Sequence, residues 1–452
     1  MILNLKRNAI WSVAEIVTSG ISLFLLYKYV VSLLGLKALG IWSLVLASTS
    51  LVRFADLGAA NGLSRFVALA LTKGDRASAR DFVETSVLAN LGIYAVASAV
   101  LALPLWWGLR FLVPADSLAQ ARALLPYALA SFALLNTNSV TLSALIGLQR
   151  TDIKCKIVIL SLVVQIAVVL ATVPFAGLVG MGLGQIAQYA VSIALSWFVF
   201  RSLLDPSIVP ILPRHFSGRA FSQLFSFGVK LQLMNLVSFA FEPLTKFVVS
   251  AVSGLQILGI YEMTYRMVLQ ARHLIAAPMG QLVPAFAHLN EANPDEAARL
   301  YTRAVTESIL VGAPILFLIG LASPAISWAW MGTYNPTFVI FASLLCLGWL
   351  INAVSTPAYL IGIASGCVRW NIVGHLITTL GSPALGYVLG SWFGSNALVF
   401  AVSCALAVGA ICTMLLNCAD SGIRPLPPFA AVVAGLRMRL RNVASRLGQQ
   451  FG

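Results

Sequence analysis

The chain has 452 residues, of which 59% are hydrophobic and only 10% charged. An ordinary soluble domain carries about 25% charged residues, so a water-facing surface of normal polarity is excluded and the bilayer must be the solvent. The net charge of +14 does not indicate nucleic acid, because the basic residues are distributed among loops rather than gathered on one soluble face.

Apolar runs of about twenty residues recur along nearly the whole chain, each long enough to cross a hydrocarbon core of about 30 Å as a helix. A transmembrane barrel would need strands of about ten residues with alternating polarity, and the runs here are continuously apolar instead. The first run, 9–34, is too long for a signal-peptide core and reads as the first span. The spans are predicted at 8–34, 39–70, 82–112, 118–148, 155–176, 179–201, 220–252, 256–289, 302–325, 336–366, 370–391 and 395–417. With both termini cytoplasmic, nineteen Lys and Arg fall in cytoplasmic segments, against only Lys37, Arg110 and Arg122 on the other side. Short cytoplasmic loops should hold such an excess, and an odd number of helices would scramble it. The predicted fold class is an all-α integral membrane protein of twelve helices.

Leu39-Gly40-Ile41-Trp42 lies on Leu258-Gly259-Ile260-Tyr261 at an offset of 219, where Gly35 also meets Gly254 and Ala79-Arg80 meets Ala298-Arg299. Further on the offset becomes 215, with Leu145-Ile146-Gly147 on Leu360-Ile361-Gly362 and Lys154 on Arg369. Six spans return a chain to its starting side, so these are parallel repeats related by a pseudo-two-fold axis along the membrane normal, an arrangement that places a substrate site between the halves. The predicted organisation is a six-helix bundle at 1–201, a cytoplasmic linker at 202–219 containing Pro206, Pro210 and Pro213, a second bundle at 220–417 and a basic cytoplasmic tail at 418–452. In the tail, Phe429, Val432, Leu436, Leu440, Val443 and Leu447 recur at steps of three and four, with Arg437, Arg441 and Arg446 off that stripe. This reads as an amphipathic helix on the anionic inner leaflet.

Ionisable residues inside spans are costly unless they face water or one another, so each is a functional candidate. The first half has Glu15, Lys28, Arg53, Asp56 and Arg65; the second has Lys230, Glu242, Lys246, Glu262, Arg266 and Arg272. Seven basic against four acidic groups predicts a cationic interior, suited to an anion. Arginine clusters hold phosphate well because the guanidinium fork donates two parallel hydrogen bonds. Helix periodicity aligns Glu262, Arg266, Gln270 and His273, with Arg272 about 80° away. It also aligns Asn235, Glu242 and Lys246, with Pro243 breaking the helix beside Glu242. In the first span Asn8, Trp11, Glu15, Thr18 and Ser22 share a face, while Lys28 falls off it and divides evenly between site and snorkelling anchor. Arg53 with Asp56, and Glu262 with Arg266, stand as internal ion pairs or as ligands. Glu84 and Glu307 read as interfacial.

Signatures of chemistry do not occur. No GxxxxGK[ST] loop is present, so transport must run on a gradient or passively. The cluster Gly177, Gly180, Gly182 and Gly184 joins two membrane helices rather than following a strand, and the four histidines show no HExxH spacing. The six cysteines show no CxxC spacing, so neither disulfide nor metal is assigned. A membrane glycosyltransferase or polymerase is the enzymatic rival, but the predicted non-cytoplasmic loops are short and hold a single acid, Asp116.

Leu39-Gly40-Ile41-Trp42, followed by Phe54-Ala55-Asp56-Leu57-Gly58 and Gly62-Leu63-Ser64-Arg65-Phe66, resembles the polysaccharide-transport branch of the multidrug/oligosaccharidyl-lipid/polysaccharide exporter superfamily. Within it the O-antigen and oligosaccharide repeat-unit flippases are most similar. The resemblance implies a V-shaped pair of bundles around a central cavity, alternating between inward-open and outward-open states in a bacterial inner membrane. It also implies an undecaprenyl-diphosphate-linked glycan as substrate, membrane lipids around it, and a polysaccharide polymerase and chain-length regulator as partners, with a monomeric carrier and no cofactor. Related murein-precursor flippases use basic residues on spans 1, 2 and 8, for which Lys28, Arg53 and Arg266 are the nearest counterparts by span and chemistry; those relatives typically have fourteen spans. The expected substrate-binding set is Arg53, Arg65, Arg266, Arg272, Lys246 and Lys28, with Glu15, Asp56, Glu242 and Glu262 coupling ions or pairing. A multidrug or other small-molecule exporter of the same superfamily is the alternative, and a cation exporter would want an acidic cavity instead.

Overall fold

The structure is a computed structural model that describes residues 5–55, 59–204, 212–276, 279–280, 282–430, 432–433 and 435–437. Among these residues there is no strand, as a chain rich in apolar runs requires when every backbone amide must find its partner within its own segment. The helices are α1 (Leu5–Thr49), α2 (Ala59–Thr72), α3 (Arg76–Leu112), α4 (Ala115–Gly147), α5 (Thr151–Ala176), α6 (Leu178–Leu204), α7 (Gly218–Ala276), α8 (Leu282–Ala292), α9 (Pro294–Met331), α10 (Pro336–Ala364), α11 (Arg369–Phe393) and α12 (Ser395–Asp420). Ten of the described helices are long and apolar enough to cross a membrane.

Two of those ten are compound. α1 is broken at Gly35 (φ 80°, ψ 171°) and α7 at Gly254 (φ 79°, ψ 173°). A positive φ of this size is one a side chain disfavours, and both breaks fall on glycine. Where a loop is expected after residue 34, the chain turns on this single residue. The predicted span at 39–70 is also interrupted, by a 3₁₀ turn at Ser50–Ala55 before α2 begins; Asp56 lies outside the described residues. The predicted span at 256–289 divides too, since α7 stops at Ala276 and α8 is a separate short helix.

Helix starts at chain reversals follow local chemistry. Asn293 and Asn335 each cap a helix, accepting from the amides of Glu296 and Phe338, and each is followed by a proline at the first helical position. Asp75 caps α3, and its hydrogen bonds with Ser78 hold its carboxyl below the ordinary aspartate pKa.

The helices form two compact units, Met1–Glu262 and Met263–Gly452. In the first, α4 packs against α1, α2, α3 and α6, and α1 runs along α5. Leu63, Val67, Val83, Val140 and Phe200 lie in its core. In the second, α10 lies against α8, α9 and α12, and α11 pairs with α12. That pairing is close because Gly374 and Gly409 face one another's helices: a methyl group at Gly409 would fall 2.5 Å from the Gly374 carbonyl oxygen.

The segment entering α7 is fastened to the first unit. Glu84 Oε2 accepts from the amides of Arg214 and His215, Glu84 Oε1 accepts from Arg201 Nη1 at 3.2 Å, and Thr85 Oγ1 accepts from Ser217 N. Glu84 is buried, and Arg201, assigned to the cytoplasmic loops, is buried with it at the end of α6. Pro206 and Pro210 lie outside the described residues. In the tail, Gly435 packs on Leu310 and Thr306 of α9, whereas Leu440, Val443, Leu447, Arg441 and Arg446 lie outside the described residues.

Within the first unit α1 and α7 cross with almost no space between backbones. A methyl group at Gly40 would fall 1.9 Å from the Leu255 carbonyl oxygen, and one at Gly259 would fall 2.3 Å from that of Leu36. Both obstructions are backbone, which cannot rotate away. Gly40→Val and Gly259→Val are each expected to abolish accumulation of folded protein in the membrane, whereas Gly20→Val, where the space is open, should express normally; size-exclusion profiles after detergent extraction measure the difference.

Candidate functional site

Two charged clusters, one in each unit, stand out by what surrounds them. In the second unit, Arg272 projects from the last part of α7 into an aromatic setting. Its guanidinium carbon lies 5.2 Å from the centroid of the Trp349 ring, and its Nε donates to Asn352 Oδ1 at 3.2 Å. Tyr265 lies 6.3 Å from Trp349, centroid to centroid, and His375 stands edge-on to Tyr359 at 5.6 Å. Among the described residues no carboxylate pairs with Arg272. The indole nitrogen of Trp349 is buried and has no hydrogen-bond partner among the described residues. An indole N–H donates only, and a guanidinium donates only. The cluster therefore offers donors to an acceptor that the described residues do not supply.

The cluster in the first unit has the opposite character. Glu262 is 0% and Lys246 1% exposed, and they are 2.6 Å apart. Lys246 Nζ also donates to Glu242 Oε1 at 2.7 Å, and Glu242 is 31% exposed. From α1, Tyr27 donates to Glu262 Oε1 at 2.9 Å and Ser43 to Glu262 Oε2 at 2.7 Å. Burying ions this deeply is tolerable because both oxygens of Glu262 accept hydrogen bonds and the Lys246 ammonium meets two carboxylates. Lys246, expected among the phosphate ligands, is here the counter-ion of two carboxylates. Glu262, which the sequence leaves between pairing with Arg266 and a ligand role, pairs with Lys246.

The remaining predicted residues do not gather into either cluster as a set. Arg266 is half-buried beside the Tyr265 ring, at 5.8 Å. Lys28 and Arg65 are exposed. Glu15 accepts two hydrogen bonds from Lys154, at the start of α5, so a lysine assigned to a cytoplasmic loop neutralises the acid of span 1. Arg7 and Arg150 similarly converge on Asp152. The side chains of Arg53, Lys230 and Asn235, and all of Asp56, lie outside the described residues.

Sequence reading passed over Tyr27, Ser43, Trp349 and Asn352, none of which carries a charge. A lone asparagine in the run Leu350-Ile351-Asn352-Ala353 was the available signal. Tyr27 and Ser43 stand 219 residues before Lys246 and Glu262, so the repeat offset pointed at them.

A model of the family described as "Polysaccharide biosynthesis protein" matches residues 33–337, more than half of the chain. The chain belongs to this family. No curated protein matches its sequence. Among solved structures it is similar to a multidrug resistance MATE family transporter of the MOP superfamily in an inward-facing conformation, with a TM-score of 0.74 and 14% identity over 89% of this chain and 94% of that one. It is also similar to a MOP superfamily transporter from Pyrococcus furiosus Vc1 (DSM3638), described as having a binding pocket of reverse polarity that suggests a different function, with a TM-score of 0.64 and 14% identity over 92% and 96% of the two chains. A MATE in the straight conformation gives a TM-score of 0.63 at the same identity and coverage. The fold is thus one that this polysaccharide biosynthesis family shares with transporters of the MOP superfamily.

Removing one member of a buried ion pair strands the other, at a cost of about 3–5 kcal/mol. Lys246→Met should therefore lower the unfolding temperature in detergent sharply, and adding Glu262→Gln to it should recover more than half of the loss.

Proposed function

We propose that this transporter is a flippase that moves an undecaprenyl-diphosphate-linked oligosaccharide, an O-antigen or exopolysaccharide repeat unit, from the cytoplasmic to the outer leaflet of a bacterial inner membrane by alternating access. The observation that carries the reading is Arg272, a cation without a carboxylate partner among the described residues, beside an indole donor that is likewise unsatisfied. A phosphate or another anion supplies the missing acceptors, and a guanidinium binds phosphate through paired hydrogen bonds. A multidrug exporter of organic cations would need acceptors or carboxylates at that position. Membership of a polysaccharide biosynthesis family supports a glycan as the moiety the anion carries.

The topology in this proposal has twelve spans in two halves, 1–201 and 220–417, with both termini cytoplasmic. The breaks at Gly35 and Gly254, 219 residues apart and with nearly the same φ and ψ, divide α1 and α7 and bring ten long helices to twelve. The crossing supports a pseudo-two-fold repeat, because Gly40 meets Leu255 while Gly259 meets Leu36, and each residue of one contact stands 219 from its counterpart in the other. Reciprocal contacts of this kind are what a two-fold axis produces. Arg53 stands 219 residues before Arg272, so the repeat would set one arginine from each half toward the substrate, with Arg266, Arg65 and Lys28 adding positive charge. The lipid tail stays in the bilayer while the sugar crosses. With the cell interior negative, outward passage of one negative charge is favoured by about 2.3 kcal/mol per 100 mV, so no nucleotide is needed.

The test is transfer of a labelled polyprenyl-diphosphate glycan across the membrane of proteoliposomes. Accelerated transfer of intact substrate is expected, and a covalently altered product would overturn the carrier reading. Hydrogen bonds to charged groups are worth about 1.5–3 kcal/mol, or roughly 10- to 100-fold. Arg272→Ala should slow transfer by that factor with normal expression, and Arg53→Ala should also impair it. Full activity in both would remove these arginines from the site.

A further inference from the structure

We propose that the end of α3 and the start of α4 form a binding site for an anionic phospholipid, with Arg110 and Arg122 taking its headgroup beside Trp107 and Trp106. The site goes beyond the flippase reading and does not depend on what the cargo is.

Val96, Val100, Leu103, Trp107 and Phe111 recur along α3 at steps of three and four and are 53–74% exposed. They form one apolar stripe turned away from the core of the first unit. From Val96 to Trp107 the stripe rises about 16 Å at roughly 1.5 Å per residue, close to one leaflet's half of a hydrocarbon core of about 30 Å. The acyl chain of a phospholipid matches that length, whereas a polyprenyl chain is several times longer. Trp107 stands near the end of the stripe, at the level where indole rings favour the boundary between hydrocarbon and headgroups.

Exposed tryptophans at such a boundary are ordinary, but the cations set over them are not. The Arg110 guanidinium carbon lies 3.5 Å from the centroid of the Trp107 ring and 4.5 Å from that of Phe111. Arg122, which comes from α4, lies 3.6 Å from the centroid of Trp106, and its Nε donates to the Trp106 carbonyl oxygen at 3.2 Å. One arginine thus comes from each arm of the α3–α4 hairpin. Among the described residues neither meets a carboxylate. Asp116, at the start of α4, is paired with Lys37 at 2.5 Å.

Ring faces stabilise a guanidinium without neutralising it, and its remaining N–H donors form a fork that fits phosphate oxygens. In the proposed topology this end of α3 is non-cytoplasmic, the side where basic residues are normally sparse. Two arginines placed there without an acid require a counter-charge from outside the hairpin. At a hydrocarbon boundary the abundant acceptor is a lipid phosphodiester. Phosphatidylcholine carries its own ammonium and is neutral overall, so the pair selects a lipid with net negative charge, such as phosphatidylglycerol. A headgroup held by both arms ties α3 to α4 at their turn.

Amide hydrogen exchange of the full-length protein in vesicles tests the site without any cargo. Adding phosphatidylglycerol to phosphatidylcholine vesicles should slow exchange at residues 112–117 of the wild type by roughly 10-fold, the factor that charged hydrogen bonds supply. The turn at Gly394 between α11 and α12 carries exposed Trp392 and Phe393 but no basic residue, and it should not respond. The Arg110→Gln/Arg122→Gln variant should lose the effect, while Arg110→Lys/Arg122→Lys, which keeps the charge, should retain part of it. Equal protection in phosphatidylcholine alone, equal slowing at Gly394, or protection that survives in the glutamine variant would overturn the proposal. So would protection by undecaprenyl phosphate with none by phosphatidylglycerol, which would assign the site to a polyprenyl lipid. The comparison of lipids in the wild type needs no variant to fold.

Discussion

Glu262 and Lys246, 2.6 Å apart with essentially no exposed surface, sit where an uncompensated charge would be ruinous, and much of the first unit's architecture is intelligible as the means of keeping them satisfied. Tyr27 and Ser43 reach Glu262 only if α1 approaches α7 to backbone contact, which requires glycine at 40 and 259. Placing Tyr27 and Ser43 on opposite sides of the same contact requires α1 to change direction between them, which Gly35 permits. A polar interaction, the helix break and the small residues are thus one solution rather than three features. In lipid, where neighbouring helices gain nothing by hiding apolar surface from one another, hydrogen bonds and close packing carry the association.

The same accounting separates charges compensated by carboxylates or ammonium groups of the chain from one for which the described residues supply none. Glu15 with Lys154, Asp152 with Arg7 and Arg150, and Glu84 with Arg201 and two backbone amides are each compensated within the first unit. Their positions at helix ends and between α1, α3, α5 and α6 make them fasteners. Arg272 differs: its neighbours are rings and an amide oxygen rather than a carboxylate. A cation held by aromatic faces is stabilised without being neutralised, so its field remains available to a ligand.

The sequence made helical spans and candidate charges legible because hydrophobic length and an ionisable residue in an apolar run are local signals. The repeat offset that brings Gly35 onto Gly254 also marked where both compound helices break. What periodicity could not settle was partnership. Lys246, a partner of Glu262, comes from sixteen residues earlier, across the Gly254 break, where the 3.6-residue rule does not apply. Likewise Lys154 and Arg201 looked like loop charges because they flank apolar runs, whereas helices α5 and α6 include them and pair them with acids distant in sequence. Uncharged partners such as Tyr27 and Trp349 gave no compositional signal at all.

The polarity of the Arg272 cluster bears on how one superfamily fold can serve different cargoes. Its similarity to MATE structures at 14% identity speaks for the arrangement of helices and not for what they carry. On the flippase proposal, cargo is read from side chains, and here the relevant groups are two donors, a guanidinium and an indole N–H, set among aromatic rings. An organic cation entering that setting would meet like charge, and the oxygen of Asn352 is already engaged by Arg272. An anion meets the reverse. Discrimination follows from the sign of the field and the unsatisfied donors together, so changing the cargo class would require more than deleting Arg272. The indole N–H would still lack an acceptor, and an acid would have to be supplied with water or a partner to keep it ionised.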